Sequence, residues 1–324
     1  MSETPIQWTD RSWGYQQGCS PKSPGCSRCY AEKIAKRLAK NPKVPQYTEA
    51  IARWNGILNF HVRGLIEPLL RKEGASWFPS MTDPFHETAL DEWIGLPFLV
   101  AAVCPQHRFL MLTKRPERIL DWLKSDVAQE LQEAIDPPAA FHLQLLSLLE
   151  VCGLEDEWEI ISEAIGMRDR SNAHTQFPLP NVLFGASVED QVRANERMPI
   201  MHEIKRQGWH TFVSAEPLLE EIDLHLDQYP VDWVIIGGES GDNARPFNLN
   251  SGRSLIRQCR DNEVKAFFKQ TGTNVVDSAP YIAGTQVEAT HWQVKFKDKK
   301  GGEPTEWEEQ LRVREVPEIL QLRR

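Results

Sequence analysis

The sequence predicts an α/β chain: a partial or near-complete parallel (β/α) barrel, TIM-like, with a helical insertion. Three observations carry this. Short apolar runs recur along the 324 residues, each ending in polar residues or glycine. Helical patterns with apolar residues at three- and four-residue spacing separate them. There are about seven such repeats, and strand alternating with helix implies parallel strands joined by crossovers.

In order, the runs are "WGYQQGC", "SWFPSMTD", "HRFLMLTKR", "NVLFGASVED", "HTFVSAEP", "VDWVIIGGES" and "VKAFFKQTG". Helices are read at "YAEKIAKRLAK", "DEWIGLPFLVAAV", "PERILDWLK" and "SGRSLIRQCRDN". No dinucleotide fingerprint appears, because "GGES" lacks the G-x-G-x-x-G spacing. Residues 125–177 break the rhythm: "AFHLQLLSLLEVC" and "EDEWEIISEAI" follow the helix-breaking "DPP" and predict an inserted helical hairpin. The barrel is read over residues 1–275. In the extension, 276–324, "HWQVKFKDKKGGEPTEW" predicts a β hairpin turning near its glycines.

Hydrophobic residues at 41% and charged residues at 26% fit a globular protein, and exclude disordered and fibrous classes. No run of about 18 apolar residues occurs, and "MSETPIQWTD" lacks a basic start and apolar centre, so a cytoplasmic protein without a membrane segment is expected. The net charge is −9, unevenly spread. Residues 1–72 hold twelve Lys/Arg and five Asp/Glu, giving +7, whereas 125–165 hold ten acids and no Lys or Arg. A basic region of this kind fits an anionic partner and an acidic insertion fits a protein partner, although solvated helix faces explain both.

Three cysteines stand in "CSPKSPGCSRCY" with C-x6-C-x2-C spacing. An extended chain from Cys19 to Cys26 would span over about 20 Å, so the loop must fold back for both sulfurs to reach one site. Pro21, Pro24 and Gly25 supply the turn. The helix starting near Tyr30 presents backbone N–H groups to Cys29, and Lys22, Arg28 and Lys33 add positive charge. Three readings stand: zinc with a fourth ligand such as His61 or His86, a four-iron cluster with one iron left for a non-protein ligand, or packed reduced thiols. The first strand's end, where a barrel carries its active site, favours the cluster. Cys104, Cys152 and Cys259 are scattered and read as packed thiols.

The strand ends supply Ser80, Thr82 and Asp83, then Thr113, Lys114 and Arg115, then Ser187 and Glu189, Ser214 and Glu216, Glu239 and Ser240, and Lys269 and Gln270. In a parallel barrel these point to one mouth. Thr82 and Ser187 also suit helix caps, but cations at helix starts oppose the dipole, so Lys114, Arg115 and Lys269 are expected to bind an anion. Glu216 and Glu239 are candidates for a ribose hydroxyl or acid/base work, or for pairing with those cations. Trp8 and Trp13 would either shield a cluster or pack in the core.

The pieces "IQWTDRSWGYQQGC", "PGCSRCYAEKIAKRL", "SMTDPFHE", "LTKRPER", "SVEDQ", "SAEPLL", "WVIIGGESGDNARP" and "FFKQTG" resemble, in order from Ile6 to Gly272, a phage- and prophage-associated three-cysteine-motif family of unknown function, radical-SAM-like. The resemblance implies a four-iron four-sulfur cluster on Cys19, Cys26 and Cys29, with S-adenosylmethionine as cofactor and a nucleotide or nucleic acid as substrate. It departs from characterised radical enzymes in two places. Their first cysteine gap is shorter, and their second strand ends in Gly-Gly-Glu where this chain has "SMTD", leaving Asp83 to replace the glutamate. The alternative is a metal-stabilised binding or adaptor protein, holding zinc or an iron–sulfur centre without S-adenosylmethionine chemistry.

Overall fold

The computed structural model describes residues 4–135, 138–166, 173–278 and 291–321. Seven strands form one sheet: β1 Arg11–Ser12, β2 Ser76–Phe78, β3 Arg108–Thr113, β4 Val182–Ser187, β5 His210–Ala215, β6 Trp233–Gly237 and β7 Lys265–Gln270. They lie in the order of the chain, β1 to β7, and β1–β2, β2–β3, β5–β6 and β6–β7 pair in parallel. Sequential parallel order is what a partial (β/α) barrel requires.

Helices α1 Tyr30–Leu38, α2 Asp91–Ala102, α3 Pro116–Leu123, α4 Asp126–Ile135, α5 Pro138–Val151, α6 Trp158–Gly166, α7 Gln191–Arg206 and α8 Leu249–Asp261 lie between them. β5 and β6 are joined without a helix. Two compact units result: one of residues 1–185, 206–210 and 319–324, the other of 186–205 and 211–318.

Four local expectations are corrected. The first strand is Arg11–Ser12, not Trp13–Cys19, because Arg11 and Ser12 pair with Trp77 and Phe78. The following Gln16–Gln17 instead pairs antiparallel with Asn59–Phe60. Residues 126–166 form three α-helices rather than a two-helix hairpin, and 136–137 and 167–172 lie outside the described residues. Asp190, not Ser187, caps α7: its Oδ1 accepts the Arg193 N–H at 2.9 Å, while Ser187 still belongs to β4. At the C-terminal end, His291–Val294 pairs antiparallel with the preceding Val275–Ser278 and not with a strand beyond Gly301–Gly302, and residues 279–290 lie outside the described residues.

The core of the first unit is aromatic. Phe98 lies 4.5 Å from Trp122 and 5.9 Å from Phe184, and Phe184 lies 4.8 Å from Trp209. Trp8 and Trp13 are core residues too: Trp13 packs 4.9 Å from Phe109 and donates its indole N–H to Gly64 O. In the second unit Trp233 packs on Phe212 and Phe267, and Phe268 on Trp307. Backbone bonds from Phe268 N to Val313 O and from Glu315 N to Ala266 O cover the outer edge of β7, which would otherwise template pairing with another chain.

Candidate functional site

The cysteine loop is seated on the carboxyl ends of β1 and β2. Gly18 donates its N–H to Met81 O and bridges Thr82, and the Thr82 hydroxyl donates to Gly18 O at 2.9 Å. Thr82 therefore holds the loop and caps no helix. The backbone turns at Gly18 with φ +101°, and a Cβ there would stand 2.3 Å from Ile57 O, so both conformation and space require glycine. Pro24 then opens a short 3₁₀ helix, Pro24–Arg28, which carries Cys26. Cys29 stands at the N-cap of α1, and Tyr30 donates its hydroxyl to Ser80 O at 2.9 Å. The chain thus reverses between Cys19 and Cys29 as the turn residues predict.

All three thiols are free. Cys19 and Cys29 pack against the apolar cluster of Ala31, Ala35, Tyr47, Ile51 and Trp54, and Cys26 is buried, its Sγ accepting the Lys22 N–H at 3.4 Å. Burial pushes the Cys19 thiol up to about 12, helped by the Asp83 charge, with Arg115 opposing it and Cys29 and Cys26 adding to the rise. Burial also raises Cys29, against the backbone N–H groups of Glu32 and Ala31 and the Lys114 charge. Cys19 and Cys29 share one apolar cluster, and the Lys22 N–H ties Cys26 to the same loop. Three thiols on one loop, with cations beside them, are the right donors for a cluster that takes three thiolates. The side chains are not drawn into a ligand set as they stand: among the described residues no group of three or more His, Cys, Asp or Glu is placed to hold a metal ion.

Beside the loop lies a buried polar network. Arg115, 2% exposed, donates Nη1 to Asp83 Oδ2 at 2.9 Å and Nη2 to Ser20 O and Oγ at 3.2 and 3.0 Å. Its Nε donates to Glu87. Asp83 also accepts the Thr113 hydroxyl at 2.5 Å, the Phe85 N–H at 3.1 Å and the Lys114 N–H at 3.0 Å. Burial raises Glu87, but the bond to Arg115, its own backbone N–H and the charges of Arg115 and His86 together outweigh it and hold the carboxyl down at about 2. His86 is held below its ordinary range by burial and by Arg115. Its Nδ1 accepts the Thr88 N–H at 3.1 Å, which leaves the proton on Nε2, 2.7 Å from Ser20 Oγ. A neutral His86 in this tautomer orients Ser20 and does not deprotonate it. His86 is thereby engaged away from the thiols, and His61 joins no metal-holding group among the described residues.

The network places three predicted site residues, Asp83, Lys114 and Arg115, around the cysteine loop. Asp83 has its carboxylate committed to four donors, and Arg115 has two carboxylate partners. Sequence reasoning misses Ser20, His86 and Glu87 as partners, although "SMTDPFHE" contains two of them; their signal is polar residues next to a strand end or to Cys19, of which only His86 is buried.

In the second unit the strand-end carboxylates are matched with cations. Glu189, fully buried, pairs with Arg197 at 3.1 Å. Glu216 pairs with Lys269 at 2.7 Å and accepts the Ser214 hydroxyl at 3.2 Å, and Glu239 pairs with Arg245 at 2.7 Å. Of the expected carboxylate and cation partners, Glu216 and Lys269 meet each other, whereas Glu189 and Glu239 meet arginines from α7 and from the turn after β6.

No curated protein matches the chain, and no solved structure does. A family model described as a protein of unknown function, DUF5131, matches residues 3–313, nearly the whole length. The chain therefore belongs to the DUF5131 family.

Proposed function

We propose that this chain is a radical-SAM-like iron–sulfur enzyme, with Cys19, Cys26 and Cys29 holding a four-iron four-sulfur cluster and an anionic substrate, a nucleotide or nucleic acid, as the molecule acted on. One observation carries the reading: three free thiols sit on one loop beside the carboxyl end of the first strands of a parallel sheet, where such folds place chemistry, with Cys19 and Cys29 against one apolar cluster and Cys26 accepting the Lys22 N–H. When bound, the cluster supplies one electron at an iron with an open position, the place that S-adenosylmethionine takes in the radical enzymes this chain resembles. The chain's own residues do the rest. Arg115 and Lys114 offset negative charge on Cys19 and Cys29. Asp83, Glu87 and Ser20 hold Arg115 in place. Tyr47, Ile51 and Trp54 belong to the apolar cluster that partly covers Cys19 and Cys29. The remaining expectations, a cytoplasmic location and a phage origin, belong to the same reading.

A second reading has its own support. The committed donors and acceptors of Asp83, Arg115, Glu189 and Lys269 fit a metal-stabilised binding protein, in which polar groups brace the fold. Anaerobic purification separates the readings. About four iron and four sulfide per chain, with methionine and 5′-deoxyadenosine released from S-adenosylmethionine on reduction, supports the enzyme. Stoichiometric zinc without sulfide overturns the cluster, and a cluster that leaves S-adenosylmethionine intact supports the binding protein.

A further inference from the structure

Residues 22–43 hold seven Lys/Arg and one acid, Glu32, in a chain whose net charge is −9. The fold turns this run into a surface. Ala31, Ala35 and Leu38 face Tyr47, Ile51 and Trp54, so α1 is fixed by its apolar side. Lys33 and Arg37, spaced i and i+4, are exposed on the other side of α1, and Lys40 and Lys43 are exposed in the turn beyond. Lys36 pairs with Glu32, and Lys22 with Glu117. Among the described residues Lys33, Arg37, Lys40 and Lys43 have no carboxylate partner.

From this we infer that α1 and the turn after it form a docking surface for a nucleic-acid backbone. Charge complementarity carries the inference. At about 1.5 Å rise per residue Lys33 and Arg37 stand about 6 Å apart along α1, and Lys40 and Lys43 continue the basic run into the turn. Duplex DNA presents a charge every ~1.7 Å of its axis, so several phosphates lie within their reach. Tyr30, 50% exposed, stands at the start of the same helix, where a flat ring suits an unpaired base. The surface adjoins Cys29, which caps α1, so a bound strand passes beside the cysteine loop. The inference deepens the partner class proposed above and does not depend on the cluster.

The test uses the full-length protein purified anaerobically, with its iron and sulfide content measured, and a fluorescent DNA of about 20 nucleotides, single-stranded and duplex, titrated between about 50 and 200 mM salt. Saturable binding is expected, with log K falling linearly against log salt. The variant K33Q/R37Q/K40Q should lower that slope by about 2 to 3 and weaken binding about a hundredfold, while K299Q/K300Q, an exposed basic pair elsewhere, leaves the slope unchanged. Where the triple variant fails to fold by circular dichroism, Lys33→Gln and Lys40→Gln alone should each lower the slope by about 1. The surface is overturned by absence of binding at the lowest salt, by an unchanged slope in the α1 variants, or by an equal loss in the control pair. Binding of polyglutamate in preference to DNA overturns it in favour of an acidic protein partner. Loss of DNA binding with iron and sulfide intact removes this surface and leaves the cluster, and the converse result removes only the cluster.

Discussion

Arg115 and Asp83 form a buried ion pair at 2.9 Å, with side chains only 2% and 7% exposed. Arg115 simultaneously holds the carbonyl and hydroxyl of Ser20, the residue after Cys19. The carboxyl ends of β2 and β3 are thereby tied to the cysteine loop. Breaking one partner of such a pair leaves a buried charge uncompensated, which typically costs about 3–5 kcal/mol.

Asp83→Ala should therefore lower stability by about that amount, and Arg115→Met by a similar one. The double variant should lose less than the sum, by about 1 to 3 kcal/mol. Chemical denaturation of the four proteins measures the coupling. Additive losses would mean that the pair is not a unit.

Among the cysteines, serine at 19, 26 or 29 should each abolish iron and sulfide binding under anaerobic reconstitution. Serine at 104, 152 or 259 should leave the content unchanged. Cys104 and Cys259 are fully buried in the core, so their variants report stability and not ligation. Colorimetric iron and sulfide counts decide it, and equal loss at all six positions would remove the ligand assignment.

Gly18→Ala should destabilise strongly, by about 2–4 kcal/mol, because the added methyl meets the Ile57 carbonyl in a backbone conformation that L residues rarely adopt. Gly14→Ala is the control: nothing lies within 4 Å of its Cβ position. Urea midpoints that shift equally for the two would contradict the geometry.

Acid sensitivity follows from the histidines. His86 and His174 are both held below their ordinary value of 6.5 by burial, and in both cases a nearby arginine adds to the effect. The unfolded chain therefore takes up protons that the folded chain refuses. Their contribution is fully present above pH 6.5 and is lost as pH falls from there through the folded values, at up to about 1.4 kcal/mol per unit for each. His86→Gln should flatten the fall between about pH 7 and pH 5.5, measured by denaturation at each pH. An unchanged slope would place the proton uptake elsewhere.

What the sequence determined by itself is local. The apolar runs "FLML", "VLFGA" and "WVIIG" are strands because strands buried on both faces need continuous hydrophobic residues, and each is found where it was read. The turn chemistry of Pro24 and Gly25 and the helix after Cys29 were legible for the same reason: each depends on neighbours within a few residues. Tertiary structure decided the pairings. Arg11–Ser12, too short to announce itself, is the first strand only because Trp77 and Phe78 offer it an edge. Arg115 and Lys269 are legible as strand-end cations, but only the fold gives Arg115 to Asp83, 32 positions away, and Lys269 to Glu216, 53 positions away. A buried charge takes whichever opposite charge the crossovers bring within reach, and that choice depends on packing across the sheet, which no stretch of residues contains.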